Sequence, residues 1–353
     1  MRIGIAGTGS IGLGSAAFLA KRGHEPVVWS PRGQSAIALK DTDLRASGIV
    51  EYEGRISVAG TAEALSRSCD CILIAAPLNA HRKIMDALVP NLCRGMTIFV
   101  SSMASLSALY LYERALEAGC PITVASFGTT TLTARKESET TVRVMTKRGH
   151  LGISVLPRDA TEKTLAVAQS LFGDVFFSDS NPLASALSNI NPVAHAPLAL
   201  FNWTRIERAE HWPQYHYMTP DVASVISKLD GERRALALAF GLEVRTIETH
   251  FAQSFGSTKS TLADIAAEMH SIRQGPPGPV STQTRFISED VPYGLLFSLA
   301  LAPLVWLSMP TTRTIVDMAS LISGKNLMDE NDFIKLLGIA AATRTTLLSR
   351  LSI

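Results

Sequence analysis

Cysteine is scarce, four in 353 residues: Cys69, Cys71, Cys93 and Cys120. They form no disulfide framework and no paired C-x-x-C spacing, so neither staples nor a structural zinc are predicted. A chain this long buries enough surface to do without staples. Cys69 and Cys71 flank Asp70 at the start of an apolar run and read as reduced, buried thiols at a strand start. That usage fits a reducing cytoplasm. An excess of one charge is also missing. Lys+Arg 33 against Asp+Glu 31 leaves +2, which argues against a general nucleic-acid binder. Long apolar runs are missing too. The greasiest segment, Leu295 to Leu307, is interrupted by Ser298 and Pro303, with Pro310 close behind. A bilayer span needs about 20 apolar residues, so this segment is predicted to be a buried helix and no membrane association is expected. The N-terminus enters glycine-rich sequence without a secretory h-region. No histidines stand at metal-ligand spacing: His24, His81, His150 and His250 are scattered, and His211 and His216 are five apart with Pro213 between,.

What is present is the balance of an ordinary packed protein, 46% apolar and 18% charged,. At roughly 150 residues per domain, two domains are expected. The first half alternates apolar runs with helical patterns. Strands are predicted at Ile3–Ala6, Pro26–Trp29, Cys71–Ala75, Thr97–Val100, Ile122–Ser126, Val142–Met145 and Gly152–Leu156, with helices over Ile11–Arg22 and Thr161–Phe172,. Buried strands separated by helices imply a doubly wound parallel sheet. From about Asn181 strand-like runs cease. Helices are predicted at Pro182–Ile190, Ala196–Ala209, Asp221–Phe240, Leu262–Ile272 and Gly294–Leu307, interrupted by a Gly/Pro-rich loop at Gln274–Val280,. The predicted fold is an N-terminal α/β Rossmann domain over 1–180 and a C-terminal all-α domain over 181–353. Exposed helices of the second domain leave room for a homodimer.

Gly7-Thr8-Gly9-Ser10-Ile11-Gly12 is a G-x-G-x-x-G element between a predicted strand and a predicted helix, the context that gives it meaning as a dinucleotide site. Gly7 permits the tight turn, Gly9 a close backbone approach to a pyrophosphate, and Gly12 close helix–strand packing. Ser10 and Ile11 open the helix whose N-terminus faces the phosphates. Where an NAD enzyme usually carries a carboxylate, the second strand ends Trp29-Ser30-Pro31-Arg32-Gly33-Gln34. Arg32 suits a ribose 2′-phosphate, with Ser30 and Gln34 as hydrogen-bond donors. NADPH is therefore predicted over NADH; the alternative is an Arg32 that only stacks on adenine. Ala76-Pro77-Leu78-Asn79, and Ser101 and Ser102, follow further strands and are placed along the cofactor.

Two polar clusters stand out in the second half: Asn189-Ile190-Asn191-Pro192-Val193-Ala194-His195-Ala196-Pro197, with Asn202 beyond, and Thr284-Arg285-Phe286-Ile287-Ser288-Glu289-Asp290-Val291-Pro292-Tyr293-Gly294. Between them lies Gln214-Tyr215-His216-Tyr217-Met218-Thr219-Pro220. The N-P-x-x-H and R-F-x-x-E-D-V-P-Y-G elements, in this order after the glycine motif, resemble the octopine/nopaline (opine) dehydrogenase family over nearly the whole chain. One departure is His195-Ala196-Pro197, where that family commonly has His-Pro. The resemblance implies reductive condensation of an amino acid's α-amino group with an α-keto acid, giving a secondary-amine dicarboxylate. It also implies His195 as acid/base, Asp290 as its partner and Arg285 as a carboxylate clamp. The residue types suit that chemistry. Histidine titrates near neutrality, a carboxylate orients it, and a planar guanidinium holds substrate carboxylates. The plainer alternatives are a hydrogen-bonded core histidine and a structural ion pair. Asn191, Thr130 (with Thr129 and Thr131), His216 and Tyr217 are further substrate-site candidates; for His216 and Tyr217 the alternative is an aromatic cluster with Trp212 and Tyr215. The competing enzyme class is a reductase of the ketopantoate reductase or glycerol-3-phosphate dehydrogenase type. Those rely on a lysine, and here Lys228 and Lys259 lie in no recognisable motif.

Overall fold

The computed structural model describes residues 1–31, 34–179, 181–273 and 276–352. The chain divides into two compact units, Met1–Ala186 together with the chain end from Leu348, and Leu187–Leu347. The expected division at 180/181 thus differs in two respects. The change falls a few residues later, and the last helix returns to the first unit, where the Arg350 guanidinium grips the Glu113 carboxylate with two 2.7 Å hydrogen bonds.

The first unit contains strands β1 (Arg2–Ala6), β2 (Glu25–Trp29), β3 (Leu44–Gly48), β4 (Tyr52–Gly54), β5 (Ser57–Val58), β6 (Cys71–Ile74), β7 (Thr97–Val100) and β8 (Thr123–Phe127). They are followed by β9 (Leu132–Lys136), β10 (Thr141–Lys147), β11 (Leu151–Leu156) and β12 (Phe176–Ser178). Its helices are α1 (Ser10–Lys21), α2 (Gln34–Asp41), α3 (Ala62–Ser68), α4 (Leu78–Leu88), α5 (Ser107–Glu117), α6 (Thr161–Phe172) and α7 (Pro182–Leu187), the last running into the second unit. The main sheet has the order β12-β11-β8-β7-β6-β1-β2-β5. All its pairings are parallel except β11 with β8. All four residues of β6 are buried, as expected for a strand covered on both faces. From β1 the chain turns one way to β2 and the other way to β6, so the strand order reverses beside β1. That is the place where such sheets bind ligands.

A second sheet, β4-β3-β10-β9, went unpredicted apart from its strand β10. Its strands mix apolar and polar residues (Arg45, Ser47, Arg135, Arg143), because only one face is covered. Leu44, Ala46, Leu132, Val142 and Val144 share one core with Leu13, Ala16 and Ala17 of α1. Gly14 of α1 lets this sheet approach: a Cβ there would stand 3.0 Å from that of Ala134. The chain leaves β8 for this sheet and re-enters beside the end it left, with Ile153 opposite Phe127. β11 therefore has to run back antiparallel.

The second unit contains α8 (Asn191–Leu200), α9 (Trp203–Glu207), α10 (Pro220–Ala239), α11 (Ile247–Phe255), α12 (Leu262–Arg273), α13 (Arg285–Ser288), α14 (Phe297–Leu301) and α15 (Pro310–Ser323). One apolar core joins them, from Ile190 and Val193 through Ile226, Leu229 and Ile265 to Ile315 and Val316. The helix expected over Ala196–Ala209 is two helices. The first starts earlier, because Pro192 occupies the opening turn where its missing N–H costs nothing,. Asn202 closes it by donating to the Leu198 carbonyl at 3.0 Å. The helix expected over Gly294–Leu307 is likewise broken. A π-helical turn (Val291–Leu296) leads into α14, and a 3₁₀ turn (Ala302–Val305) follows where Pro303 removes a donor,. Trp306 after it is 97% exposed, so this stretch is only partly the buried helix predicted. Among the described residues no helix is long and apolar enough to cross a membrane.

Candidate active site

The glycine motif sits at the turn between β1 and α1. Gly7 has φ +128, and its N–H donates to the Trp29 carbonyl at 2.8 Å. A Cβ on Gly7 would collide with the Ala75 carbonyl oxygen, and one on Gly12 with the Gly7 carbonyl. Gly9, by contrast, has open space where its side chain would be and caps α1 without any side-chain hydrogen bond. That combination is a tight turn presenting helix N–H groups, at positive potential, to an open cradle. Ile11 is half-buried against the core. Ser10 also ties α1 to the second sheet, its Oγ accepting the Lys136 N–H at 3.0 Å. Ser30 is half-buried just past β2. Arg32 and the Gln34 side chain lie outside the described residues.

The Ala75-Ala76-Pro77 turn after β6 lies against the glycine turn, as the Gly7–Ala75 proximity shows. Its anchor is His81, fully buried on α4. The ring bridges the Ala76 carbonyl (3.1 Å from Nε2) and the Ser107 hydroxyl (3.0 Å from Nδ1). A carbonyl only accepts, so Nε2 carries the proton and Nδ1 takes one from Ser107. Burial pushes this imidazole down to about 4. Sequence reasoning left His81 without a role. The available signal was its place in the buried stripe of an amphipathic helix, with Leu78, Ile84, Met85 and Leu88. After β7, Ser101 is buried and Asn79 of α4 is exposed. Ser102, Ser105 and Leu106 all have positive φ. Strain of about 1–3 kcal/mol per such residue persists only where surroundings impose it, and it clusters at functional sites.

In the second unit, His195 of α8 and Asp290 just after α13 come together across 95 residues of sequence. Nδ1 and Oδ2 are 2.8 Å apart, with side chains 13% and 7% exposed. An ionised carboxylate only accepts, so Nδ1 carries the hydrogen and Nε2 is the ring's other, reactive edge. The Phe286 ring lies flat on the imidazole, centroids 3.9 Å apart and planes 2° from parallel. Asp290 opens the π-helical turn, a distortion frequent at functional sites. Asn331 steadies it, donating to the Pro292 carbonyl at 2.8 Å. A Cβ on Gly294 would collide with the Pro192 ring, so the Pro-Tyr-Gly and Asn-Pro elements are one contact between this turn and α8. At the head of α8, Asn191 donates its backbone N–H to Asn189 Oδ1 at 3.1 Å, and its side chain is half-buried. Arg285 is exposed and has no ion-pair or hydrogen-bond partner among the described residues. Such a guanidinium is available to a carboxylate ligand.

The remaining candidates lie in other surroundings. The Thr130 hydroxyl donates to the Leu132 carbonyl at 2.7 Å within its own turn, leaving its lone pairs but not its proton for a ligand. His216 is exposed and pairs with His270 (4.7 Å) and Tyr217 (5.2 Å). Tyr217 meets Trp212 edge-on at 5.7 Å and carries the Arg205 guanidinium 4.3 Å over its face. Tyr215 packs instead with Phe251 and Phe255. Among the described residues no group of three potential ligands could hold a metal ion.

Comparison with known proteins follows the same division of the chain. Residues 178–323 match the family described as NAD/NADP octopine/nopaline dehydrogenase, alpha-helical domain. Residues 3–158 match the ketopantoate reductase PanE/ApbA family. The sequence match to the ketopantoate reductase family ends at residue 158, before the helical half, and Lys228 lies on α10 while Lys259 is exposed. An opine dehydrogenase from Arthrobacter sp. (strain 1C) is 27% identical over 350 residues, covering 96% of this chain and 95% of that protein. Octopine dehydrogenase solved with NADH and L-arginine superposes with a TM-score of 0.81 at 17% identity, over 99% of this chain and 98% of that one. Yersinopine dehydrogenase with NADP+ bound gives 0.75 at 14% identity, over 98% and 99%. The helical half thus carries the octopine/nopaline dehydrogenase domain, and over nearly its whole length the chain is similar to opine dehydrogenases, NAD(P)-dependent oxidoreductases.

Proposed function

We propose that the protein uses NADPH to join the α-amino group of an amino acid to an α-keto acid, yielding a secondary-amine dicarboxylate. The observation that carries this is the buried His195–Asp290 pair with its Nε2 edge unengaged among the described residues. The amine attacks the keto carbon, and the carbonyl oxygen departs as water once protonated. The resulting imine takes a hydride at carbon and keeps a proton on nitrogen. Two proton movements are thus required, and one imidazole near the nitrogen performs both by alternating between acid and base. Asp290 holds the tautomer and balances the imidazolium. Arg285 anchors a substrate carboxylate through its planar fork. Asn191, Thr130, His216 and Tyr217 are proposed as secondary contacts.

The cofactor cradle fits a dinucleotide: open space at Gly9, forbidden side chains at Gly7 and Gly12, and an uncapped helix start. Gly7, Gly9, Ser10, Ile11 and Gly12 would hold the pyrophosphate, with Ala76 and Pro77 beside it. The bound nicotinamide supplies the hydride. Trp29-Ser30 ends β2 without a carboxylate, and with Arg32 this favours the 2′-phosphate of NADPH. Relatives supply precedents of both kinds, octopine dehydrogenase with NADH and yersinopine dehydrogenase with NADP+. The cysteines are unpaired, and burial pushes the Cys71 thiol up to about 12, leaving it inert,. That fits a reducing cytoplasm.

The test is an NADPH-oxidation screen of an amino-acid panel against pyruvate, 2-oxoglutarate and oxaloacetate. One productive pair, with kcat reduced about 10²- to 10⁴-fold in His195→Ala, is the expected result. Undiminished turnover in His195→Ala would refute the acid–base assignment. A higher kcat/KM with NADH would refute the cofactor assignment.

A further inference from the structure

We propose that Phe286 is a positioning residue that fixes the plane of the His195 imidazole; this rests on the acid–base reading of His195. The Asp290 carboxylate holds the ring by one hydrogen bond, at Nδ1, 2.8 Å away. One such bond sets an edge but leaves the ring free to rock about it, because the torsion between Cβ and a flat ring has broad wells. The parallel Phe286 ring, 3.9 Å off at 2°, removes that rocking. Dispersion across two flat faces is lost quickly when either tilts. The negative face of the benzene ring also lies against the charge the imidazole acquires on taking up a proton.

Phe286 is itself held. It is buried, and α13 is capped by Thr284, whose hydroxyl oxygen accepts the Phe286 N–H at 3.3 Å. The short segment from 286 to 290 delivers both the ring and the carboxylate, so the two restraints belong to one element. The imidazole then has Nδ1 engaged by Asp290 and one face covered by Phe286, while Nε2 has no hydrogen-bond partner among the described residues. Leucine would fill a similar volume but offer no flat face. Tyrosine would keep the face.

The experiment compares F286L, F286Y and His195→Ala in the full chain, using the productive substrate pair and NADPH. F286L is expected to lose about tenfold in kcat while both substrate KM values stay within about twofold, as for a group misaimed rather than a pocket lost. F286Y is expected to recover most of the loss. His195→Ala should be nearly inactive in the same assay. An F286L enzyme with wild-type kcat beside an inactive His195→Ala overturns the role of Phe286 and leaves the acid–base reading intact. An active His195→Ala overturns that reading instead. F286L and F286Y falling alike also overturns the proposal, since the flat face would then not matter. Histidine-labelled wild-type protein gives a readout that does not depend on whether F286L or F286Y folds. The ring C–H protons of His195, assigned by their absence in His195→Ala, should be displaced upfield by the Phe286 ring current. Ordinary positions in the wild type would show that the rings do not stack.

Discussion

His81 makes the stability of the first unit depend on pH in a window that can be stated in advance. Its ring is fully buried between the Ala76 carbonyl and the Ser107 hydroxyl, and burial takes it from 6.5 to about 4. Below pH 6.5 the unfolded chain binds a proton at this site that the folded chain refuses. The unfolded state therefore holds more protons, and stability falls as pH drops from about 6.5 toward 4. The contribution is complete above pH 6.5. At 1.36 kcal/mol per unit, the whole drop amounts to about 3 kcal/mol. Other groups titrate in the same range, so the measurement is a difference. Urea unfolding is followed in steps from pH 7.5 to 4.5 for the wild type and for His81→Gln. The glutamine still donates to the Ala76 carbonyl but leaves the Ser107 hydroxyl without its acceptor, at a cost of about 1–3 kcal/mol. The variant should be the less stable protein at pH 7.5, and the gap should close steadily below pH 6.5. A gap that is constant across the range would mean that His81 titrates alike in both states, and the burial argument would fail. The same variant should raise the KM for the dinucleotide, because the side chain that holds the Ala76 carbonyl loses its own tie to Ser107.

Other consequences are equally open to measurement. Gly9→Ala should fold with stability within about 0.5 kcal/mol of wild type, since nothing occupies its side-chain position,, yet bind the dinucleotide poorly. Gly7→Ala forces a side chain into φ +128 and against the Ala75 carbonyl, and thermal denaturation should show a loss of about 1–3 kcal/mol. Gly294→Ala drives a methyl into the Pro192 ring. It should cost about 1–3 kcal/mol and lower kcat by separating His195 from Asp290. Arg285 is exposed and has no partner among the described residues, so Arg285→Ala should leave the melting curve in place while raising a substrate KM about 10- to 100-fold, the worth of a charged hydrogen bond. An unchanged KM would remove Arg285 from the site.

The glycine turn of the first unit was legible because its information is local. Six residues, a strand before and a helix after suffice to define the glycine turn, and the collisions at Gly7 and Gly12 give the reason for the motif. The second half was legible differently. His195 and Asp290 lie 95 residues apart, and no periodicity links them; their pairing was expected only through the family resemblance. The supporting residues were harder to see. Phe286 stands inside a recognisable motif, but a phenylalanine there reads as ordinary core until the angle between two rings is known. The second sheet escaped because β3 and β9 are short, half-covered strands in which Arg45 and Ser47, and Thr133, Arg135 and Lys136, interrupt the apolar residues, a composition that a surface loop shares. The breaks at Phe201 and Trp306 depend on where single carbonyls find donors, as at Leu198 and Asn202, which hydrophobic spacing does not encode.

The return of the chain end to the first unit changes what the helical unit is. Residues 187 to 347 leave from one unit and come back to it, with Arg350 fastened onto Glu113. The helical part is therefore an insertion in the sheet-bearing part rather than an appendage to it. A chimera meant to exchange specificity between relatives should transplant an internal cassette and retain the host's final helix. Trimming even the last few residues would cut the return path and leave the inserted part tethered at one end only.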